Sequence, residues 1–196
     1  MKDFGLEIWG DDNFIIQNDT VNVNYASKPS LISMTQEIRE KGYKGPLLLR
    51  FPHLIAKQIS TLFDTFNNAR EEFNYQGSFN AVFPLKVNQF PNFVHALMDV
   101  SHHYNYGLEA GSKAELIIAM SKTPTGAPIT VNGFKDKEMI SLCFIAAKMG
   151  HNITVTIEGL EELETIIQVN QEFNAEVETP VSPKIGVRIR LHSSGI

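Results

Sequence analysis

The chain lacks several features that whole classes of protein require. It has a single cysteine, Cys143, among 196 residues, so no disulfide can form within it, which favours a reducing compartment such as the cytoplasm. Its formal net charge is -5 and it has no run of Lys and Arg residues, which argues against a nucleic-acid partner. No apolar run approaches the length of a membrane span, and the N-terminus lacks the pattern of a signal peptide. We therefore expect a cytoplasmic globular protein without a nucleic-acid or membrane partner.

The first 44 residues differ in pattern from the rest of the chain. Short apolar or alternating runs are separated by turn-forming residues, Gly10-Asp11-Asp12-Asn13 and Asn18-Asp19. This pattern predicts a small β-meander. A helix is predicted from Leu31 to Lys41, where Gly42 ends it.

From Gly45 onward the pattern alternates between strand and helix. A compact strand is predicted at Leu47–Phe51, followed by a helix over Leu54–Phe73. Strands alternating with helices indicate right-handed βαβ units and a parallel sheet, hence the α/β class. A closed (β/α)8 barrel needs eight strands and roughly 250 residues, so periodicity leaves open either a doubly wound sheet or part of a barrel. The five strands of the main repeat are predicted at Phe79–Val87, Tyr106–Glu109, Ile129–Val131, Ile153–Ile157 and Ile185–Leu191.

Lys86 is the most informative single residue. It is predicted at the C-terminal end of an apolar strand, which is the end where parallel α/β folds bind ligands. A lysine withdrawn from water loses its proton more readily, and a neutral amine is the form that attacks an aldehyde. On residue type alone, a strand-end lysine with its amine in water is the commoner arrangement.

Several motifs resemble the biosynthetic arginine decarboxylase family, the bacterial type with an alanine-racemase-like barrel. The resemblance runs nearly from end to end, and the long glycine-led motif after the lysine motif is its most specific part. The segments that carry it are Phe83-Pro84-Leu85-Lys86-Val87-Asn88-Gln89, Gly107-Leu108-Glu109-Ala110-Gly111-Ser112-Lys113-Ala114-Glu115-Leu116, Val131-Asn132-Gly133-Phe134-Lys135-Asp136, Lys148-Met149-Gly150-His151 and Gly186-Val187-Arg188-Ile189-Arg190-Leu191.

The resemblance implies an enzyme that uses pyridoxal phosphate (PLP) to convert L-arginine to agmatine and carbon dioxide, in the route to polyamines. Lys86 matches the lysine that holds PLP. Residues 45–196 would be the first part of a PLP-binding (β/α)8 TIM barrel, and residues 1–44 part of a second, β domain. The family also implies Mg²⁺ and a homo-oligomer, a dimer or tetramer.

Three further residues are candidates for contact with the cofactor. The resemblance places Arg188 where related enzymes have a cofactor-contacting arginine, with Arg190 on the same face of the strand. Glu109, at a strand end, is expected to face the cofactor or to order Lys86, or else to be an ordinary loop carboxylate. Ser112 would lie at the ligand end of the barrel, but Ser112 and Glu115 form a capping-box pattern at a helix start, and this structural interpretation suffices.

The histidines do not make a metal site by sequence. His102-His103 lacks a matching third ligand and is expected to be the polar end of a helix. His192 ends the last predicted strand and has no assigned role. Cys143 lies in an apolar run and is expected to be a buried core thiol.

The resemblance also implies that the chain is a fragment. In the family, later strands carry the phosphate-binding loop, the ring-stacking histidine and the acidic partner of the pyridine nitrogen, so the chain alone is expected to be inactive. Two alternatives stay open: a related PLP decarboxylase of ornithine or diaminopimelate, and a non-catalytic homologue that acts by binding protein.

Overall fold

The structure is a computed structural model that describes residues 4–176 and 178–189. It divides into two compact units, Met1–Leu54 and Ile55–Ile196. The predicted domain boundary between residues 44 and 45 stays a prediction.

The first unit is built around a β-hairpin. Strands β1 (Phe14–Gln17) and β2 (Thr20–Val23) pair antiparallel through the two-residue turn Asn18-Asp19. They lie between a short helix, α1 (Leu6–Trp9), and a longer one, α2 (Leu31–Glu40), whose N-cap is Ser30. The helix predicted from Leu31 is thus confirmed.

The predicted β-meander is wrong at its first strand. Leu6–Trp9 forms a single helical turn in place of a strand. The turn is closed by the Gly10 N–H, which donates to the Leu6 carbonyl at 2.7 Å, and the indole N–H of Trp9 donates to the Phe4 carbonyl at 3.0 Å. A run of four residues is too short for its periodicity to separate helix from strand, so local hydrogen bonding decides the conformation.

The second unit begins within a long helix, α3 (His53–Glu72), which confirms the helix predicted over Leu54–Phe73. The strand predicted at Leu47–Phe51, before this helix, is wrong. These residues are irregular, and Leu48 is 74% exposed. A strand requires a hydrogen-bonded neighbour, and here no described strand pairs with this segment.

A parallel sheet of five strands forms the centre of the second unit. The strands lie in sequence order and each is paired parallel to the next, so the predicted α/β class is confirmed. They are β3 (Ala81–Pro84), β4 (Tyr106–Ala110), β5 (Pro128–Val131), β6 (Asn152–Ile157) and β7 (Lys184–Val187). The helices between them are α4 (Pro91–Ser101), α5 (Lys113–Lys122), α6 (Lys137–Lys148) and α7 (Leu160–Asn174).

The two faces of this sheet differ in polarity. One face carries Leu108, Ile129, Ile153 and Val155, which are fully or nearly fully buried in one cluster with apolar side chains of the helices. Because successive strand residues point to opposite faces, the other face carries Glu109, Thr130, Thr154 and Thr156. Glu109 therefore lies on the face away from the helical core.

Gly107 allows β4 and β5 to approach closely. A Cβ atom at this position would overlap the Pro128 carbonyl oxygen, so any other residue would push the two strands apart. None of the helices in the described ranges is long and apolar enough to cross a membrane.

Candidate functional site

A wide cavity opens at the carboxyl ends of the five parallel strands. Its volume is about 810 Å³, within the usual range of small-molecule sites. Every strand, or the turn that follows it, contributes to the wall. The lining residues are Val82, Pro84, Lys86, Glu109, Gly111, Ser112, Glu115, Asn132, Gly133, Thr156, Val187 and Arg188.

Lys86 lines this cavity from a turn beyond the strand. β3 ends at Pro84, and Lys86 lies in a single 3-10 turn, Leu85–Val87, so the prediction that placed it inside a strand is wrong. Leu85 is fully buried and anchors the turn, which leaves Lys86 exposed. A Lys86 side chain withdrawn from water, which would favour the neutral amine, is therefore not observed. Within the described residues its amine makes no hydrogen bond or ion pair.

Glu109 presents a carboxylate oxygen without a partner. The residue is only 6% exposed and lies beside Pro84 in the register of β3 and β4. Its Oε1 atom accepts a hydrogen bond from Asn132 Nδ2 at 3.0 Å, while its buried Oε2 atom has no hydrogen-bond partner. A buried polar atom without a partner is costly, so this oxygen is a ready acceptor for a ligand or a neighbouring donor.

Ser112 and Glu115 shape the cavity where α5 begins. Ser112 is the N-cap, and its Oγ atom accepts from the Glu115 N–H at 3.3 Å. The Glu115 Oε2 atom accepts a hydrogen bond from the Gly111 N–H at 2.7 Å. In an ordinary capping box this bond would come from the N–H of the N-cap residue, one position later. Its Oε1 atom accepts from Gln89 at 2.8 Å, which ties this helix start to the segment that follows Lys86.

Arg188 directly follows β7 and lines the opposite wall. Its guanidinium Nη1 atom lies 3.3 Å from Glu158 Oε1, and its side chain is 66% exposed. The predicted strand to Leu191 ends earlier, at Val187, and Arg190, Leu191 and His192 lie outside the described residues. The prediction that Arg188 and Arg190 share a face therefore stays a prediction.

A buried ion pair that sequence reasoning missed supports this wall. The Lys135 side chain has no exposed surface, and its Nζ atom lies 3.1 Å from Glu162 Oε2. The Glu162 carboxylate also accepts from the backbone N–H groups of Lys135 at 3.2 Å and Glu158 at 2.9 Å. The Lys135 amine donates further to the Gly133 carbonyl. The only sequence signal was a lysine inside a segment that resembles the family, which does not reveal burial.

Comparison with known proteins finds relatives of one kind. No protein-family model matches the chain. The biosynthetic arginine decarboxylase of Citrifermentans bemidjiense is 35% identical over 201 residues, covering 100% of this chain and 31% of the relative. That of Gloeobacter violaceus is 37% identical over 96% of this chain and 29% of the relative. The crystal structure of the biosynthetic arginine decarboxylase from Campylobacter jejuni superposes with a TM-score of 0.89 and 59% identity, covering 98% of this chain and 32% of that one.

Over nearly its whole length the chain is similar to biosynthetic arginine decarboxylases. The resemblance predicted from the motifs is thereby confirmed. The chain spans about a third of the length of the arginine decarboxylases it matches.

The other residues considered in the sequence analysis, His102 and Cys143, do not line the cavity. His102 is the C-cap of α4, in agreement with its expected place at a helix end. In the described part of the chain, no group of three or more His, Cys, Asp or Glu side chains could hold a metal ion. Cys143 is fully buried, as expected, and this burial raises the pKa of its thiol to about 12.

Proposed function

We propose that this chain is the N-terminal part of a PLP-dependent enzyme that decarboxylates L-arginine to agmatine and carbon dioxide. The observation that supports it most is the shared cavity, in which the Lys86 amine, the Glu109 carboxylate and the Arg188 guanidinium line one space. Because the chain spans about a third of its relatives, the activity is proposed for a longer protein. A cytoplasmic location, a role in polyamine synthesis and a homo-oligomer belong to the same proposal.

The proposed fold is an incomplete (β/α)8 barrel. Five parallel strands in sequence order, with helices packed on one face only, are the arrangement expected of successive βα units in such a barrel. Residues 45–196 would then form the first part of the PLP-binding barrel. Residues 1–44 would belong to a second, β domain.

The cavity offers an amine for the aldehyde of PLP and N–H donors for its anionic oxygens. PLP carries an aldehyde, a phenolic oxygen and a phosphate. Lys86 offers an amine with no partner among the described residues, Arg188 offers N–H donors for an anionic oxygen, and Glu109 Oε2 is a buried acceptor without a partner. These groups come from three different strand ends, so the site is assembled by the sheet.

The chemistry divides between the cofactor and the chain. PLP, when bound, supplies the electron sink for the charge that remains on carbon when carbon dioxide leaves. In this proposal Lys86 would hold the cofactor through its amine. Glu109 Oε2 would accept a hydrogen bond from a bound group, and Asn132 keeps the carboxylate in that orientation through Oε1. Ser112 holds the start of α5, so that Gly111 keeps its place in the wall.

The family-implied Mg²⁺ has no assigned residues. The described ranges contain no suitable cluster of ligating side chains. We therefore place no catalytic step on the metal.

Lys86→Ala in the full-length protein tests the proposal. We expect agmatine and carbon dioxide from arginine, and a loss of roughly a thousandfold or more in kcat/KM in the variant, because removal of a covalent catalytic group commonly costs that much. Lys122→Ala is the matched control, since Lys122 is exposed at the end of α5 and should leave the rate unchanged.

Assays with ornithine and diaminopimelate separate the alternatives. A preference for either substrate over arginine would indicate a related PLP decarboxylase. Absence of turnover and of bound PLP would indicate a non-catalytic homologue, and both results contradict the proposal.

A further inference from the structure

Glu158 joins two parts of the cavity wall without lining the cavity itself. It directly follows β6, and its Oε1 atom accepts from the Gly133 N–H at 2.8 Å and from Arg188 Nη1 at 3.3 Å. Gly133 and Arg188 both line the cavity, whereas Glu158 does not. Glu158 can therefore act on a bound ligand only through these neighbours.

A hydrogen bond to the start of α7 fixes the backbone of Glu158. Its N–H donates to Glu162 Oε2 at 2.9 Å, the same oxygen that pairs with the Lys135 amine at 3.1 Å. The Lys135 side chain is fully buried, and displacement of either partner would leave a buried charge without compensation. The position of Glu158 is thus held by the most protected ion pair in the described residues.

Arg188, by contrast, has little restraint of its own. Its side chain is 66% exposed, and among the described residues Glu158 is its only side-chain partner. A long side chain loses rotamer freedom when a ligand fixes it, so a partner that fixes it beforehand reduces this cost of binding. A guanidinium has five N–H donors, and the contact with Glu158 occupies only one nitrogen.

We propose that Glu158 is a positioning residue that holds Arg188 at the cavity wall, so that the remaining donors of Arg188 face the anionic oxygens of bound PLP. This inference rests on the proposed function, because it requires PLP in the cavity. The Gly133 N–H and the charges of Arg188 and Lys135 lower the pKa of the Glu158 carboxyl. The carboxylate therefore keeps its charge at neutral pH.

The test is a titration of the cofactor-free, full-length protein with PLP alone, followed by visible absorbance. Glu158→Gln keeps the size of the side chain and an oxygen for the Gly133 N–H, but removes the charge that pairs with Arg188. We expect the Kd for PLP to rise roughly tenfold, within the range of coupling between contacting residues. Glu164→Gln makes the same charge change at an exposed position of α7 and should bind PLP as the unaltered protein does.

A double-mutant cycle distinguishes positioning from a general structural effect. In an Arg188→Lys background, which lacks the guanidinium fork, Glu158→Gln should weaken PLP binding less than twofold. An equal loss in both backgrounds would show that Glu158 acts on the fold and not through Arg188, and would overturn the inference.

Mapping the attachment site separates this inference from the proposed function. If PLP fails to bind the unaltered protein, or attaches to a lysine other than Lys86, the proposed function fails and this inference with it. If PLP attaches to Lys86 and Glu158→Gln binds it with unchanged affinity, only the positioning role of Glu158 fails.

Discussion

The two units of the chain are stabilised in different ways. In the second unit, Ile55–Ile196, twenty-two buried apolar residues form one cluster between sheet and helices. In the described part of the first unit, Val23 is the only buried large apolar side chain. The first unit instead contains seven of the eight described non-glycine residues with positive φ, namely Phe4, Asp11, Asp12, Asn18, Asp19, Ala26 and Lys28.

Local hydrogen bonds compensate for the small core of the first unit. Asn22 Nδ2 donates to the Lys28 carbonyl and Asn24 Nδ2 to the Asp12 carbonyl, both at 2.8 Å. Short polar side chains tolerate left-handed backbone and bond to nearby main chain. The comparison teaches that the second unit depends on burial and the first on turn chemistry, so substitutions should affect each unit through a different mechanism.

Removing a buried charge from the second unit should have the largest effect. Lys135→Met is expected to lower the free energy of unfolding by about 3–5 kcal/mol, because it leaves the Glu162 carboxylate without its buried partner. Urea denaturation of the 196-residue chain, followed by circular dichroism, measures this loss as a shift of the midpoint.

Lys137→Met is the matched control for this effect. Lys137 pairs with Glu172 at 2.8 Å, but both side chains are about half exposed, and exposed pairs are worth about 0–1 kcal/mol. Equal losses for the two lysine variants would show that burial does not set the stability of the second unit.

A turn substitution in the first unit should have a smaller effect of opposite sign. Asn18 and Asp19 have φ of 52° and 55°, the conformation of a type I′ hairpin turn that favours Asn-Gly. Asp19→Gly is expected to stabilise the hairpin by about 0.5 kcal/mol. Slower amide hydrogen exchange in β1 and β2 would report it.

An Asp→Gly substitution within a helix provides the contrasting case to the one in the hairpin turn. Asp64→Gly lies in the exposed interior of α3, where glycine is a poorer helix former, so local protection should fall. If Asp19→Gly also lowered protection, the first unit would not depend on its turn conformation.

Periodicity was sufficient to predict most of the second unit. Strands and helices such as β6 and α6 have apolar spacing that matches their buried faces, because burial on a regular element repeats with its period. The failures, at Leu6–Trp9 and Leu47–Phe51, are short apolar segments for which periodicity carries no information about a pairing partner. At Leu6–Trp9 local hydrogen bonds decide the conformation, and at Leu47–Phe51 no described strand pairs with the segment.

The candidate site was predicted in part. Lys86, Glu109, Ser112 and Arg188 were selected from a strand-end position and family motifs, and all four line one cavity. The cofactor roles of these residues stay predictions. The network of Lys135, Glu158 and Glu162 was not predicted, since it joins residues after β5 to residues after β6 that lie about 25 positions apart in the chain, and only the folded sheet brings them together.

Attachment of PLP to a single lysine tests the account most directly. The full-length protein would be loaded with PLP, reduced with borohydride, digested and mapped by mass spectrometry. We predict that the modified peptide contains Lys86 and that Lys86→Ala abolishes the label. A label on another lysine, or no label on protein that is folded and saturated with PLP, would contradict the assignment of the cavity as the cofactor site.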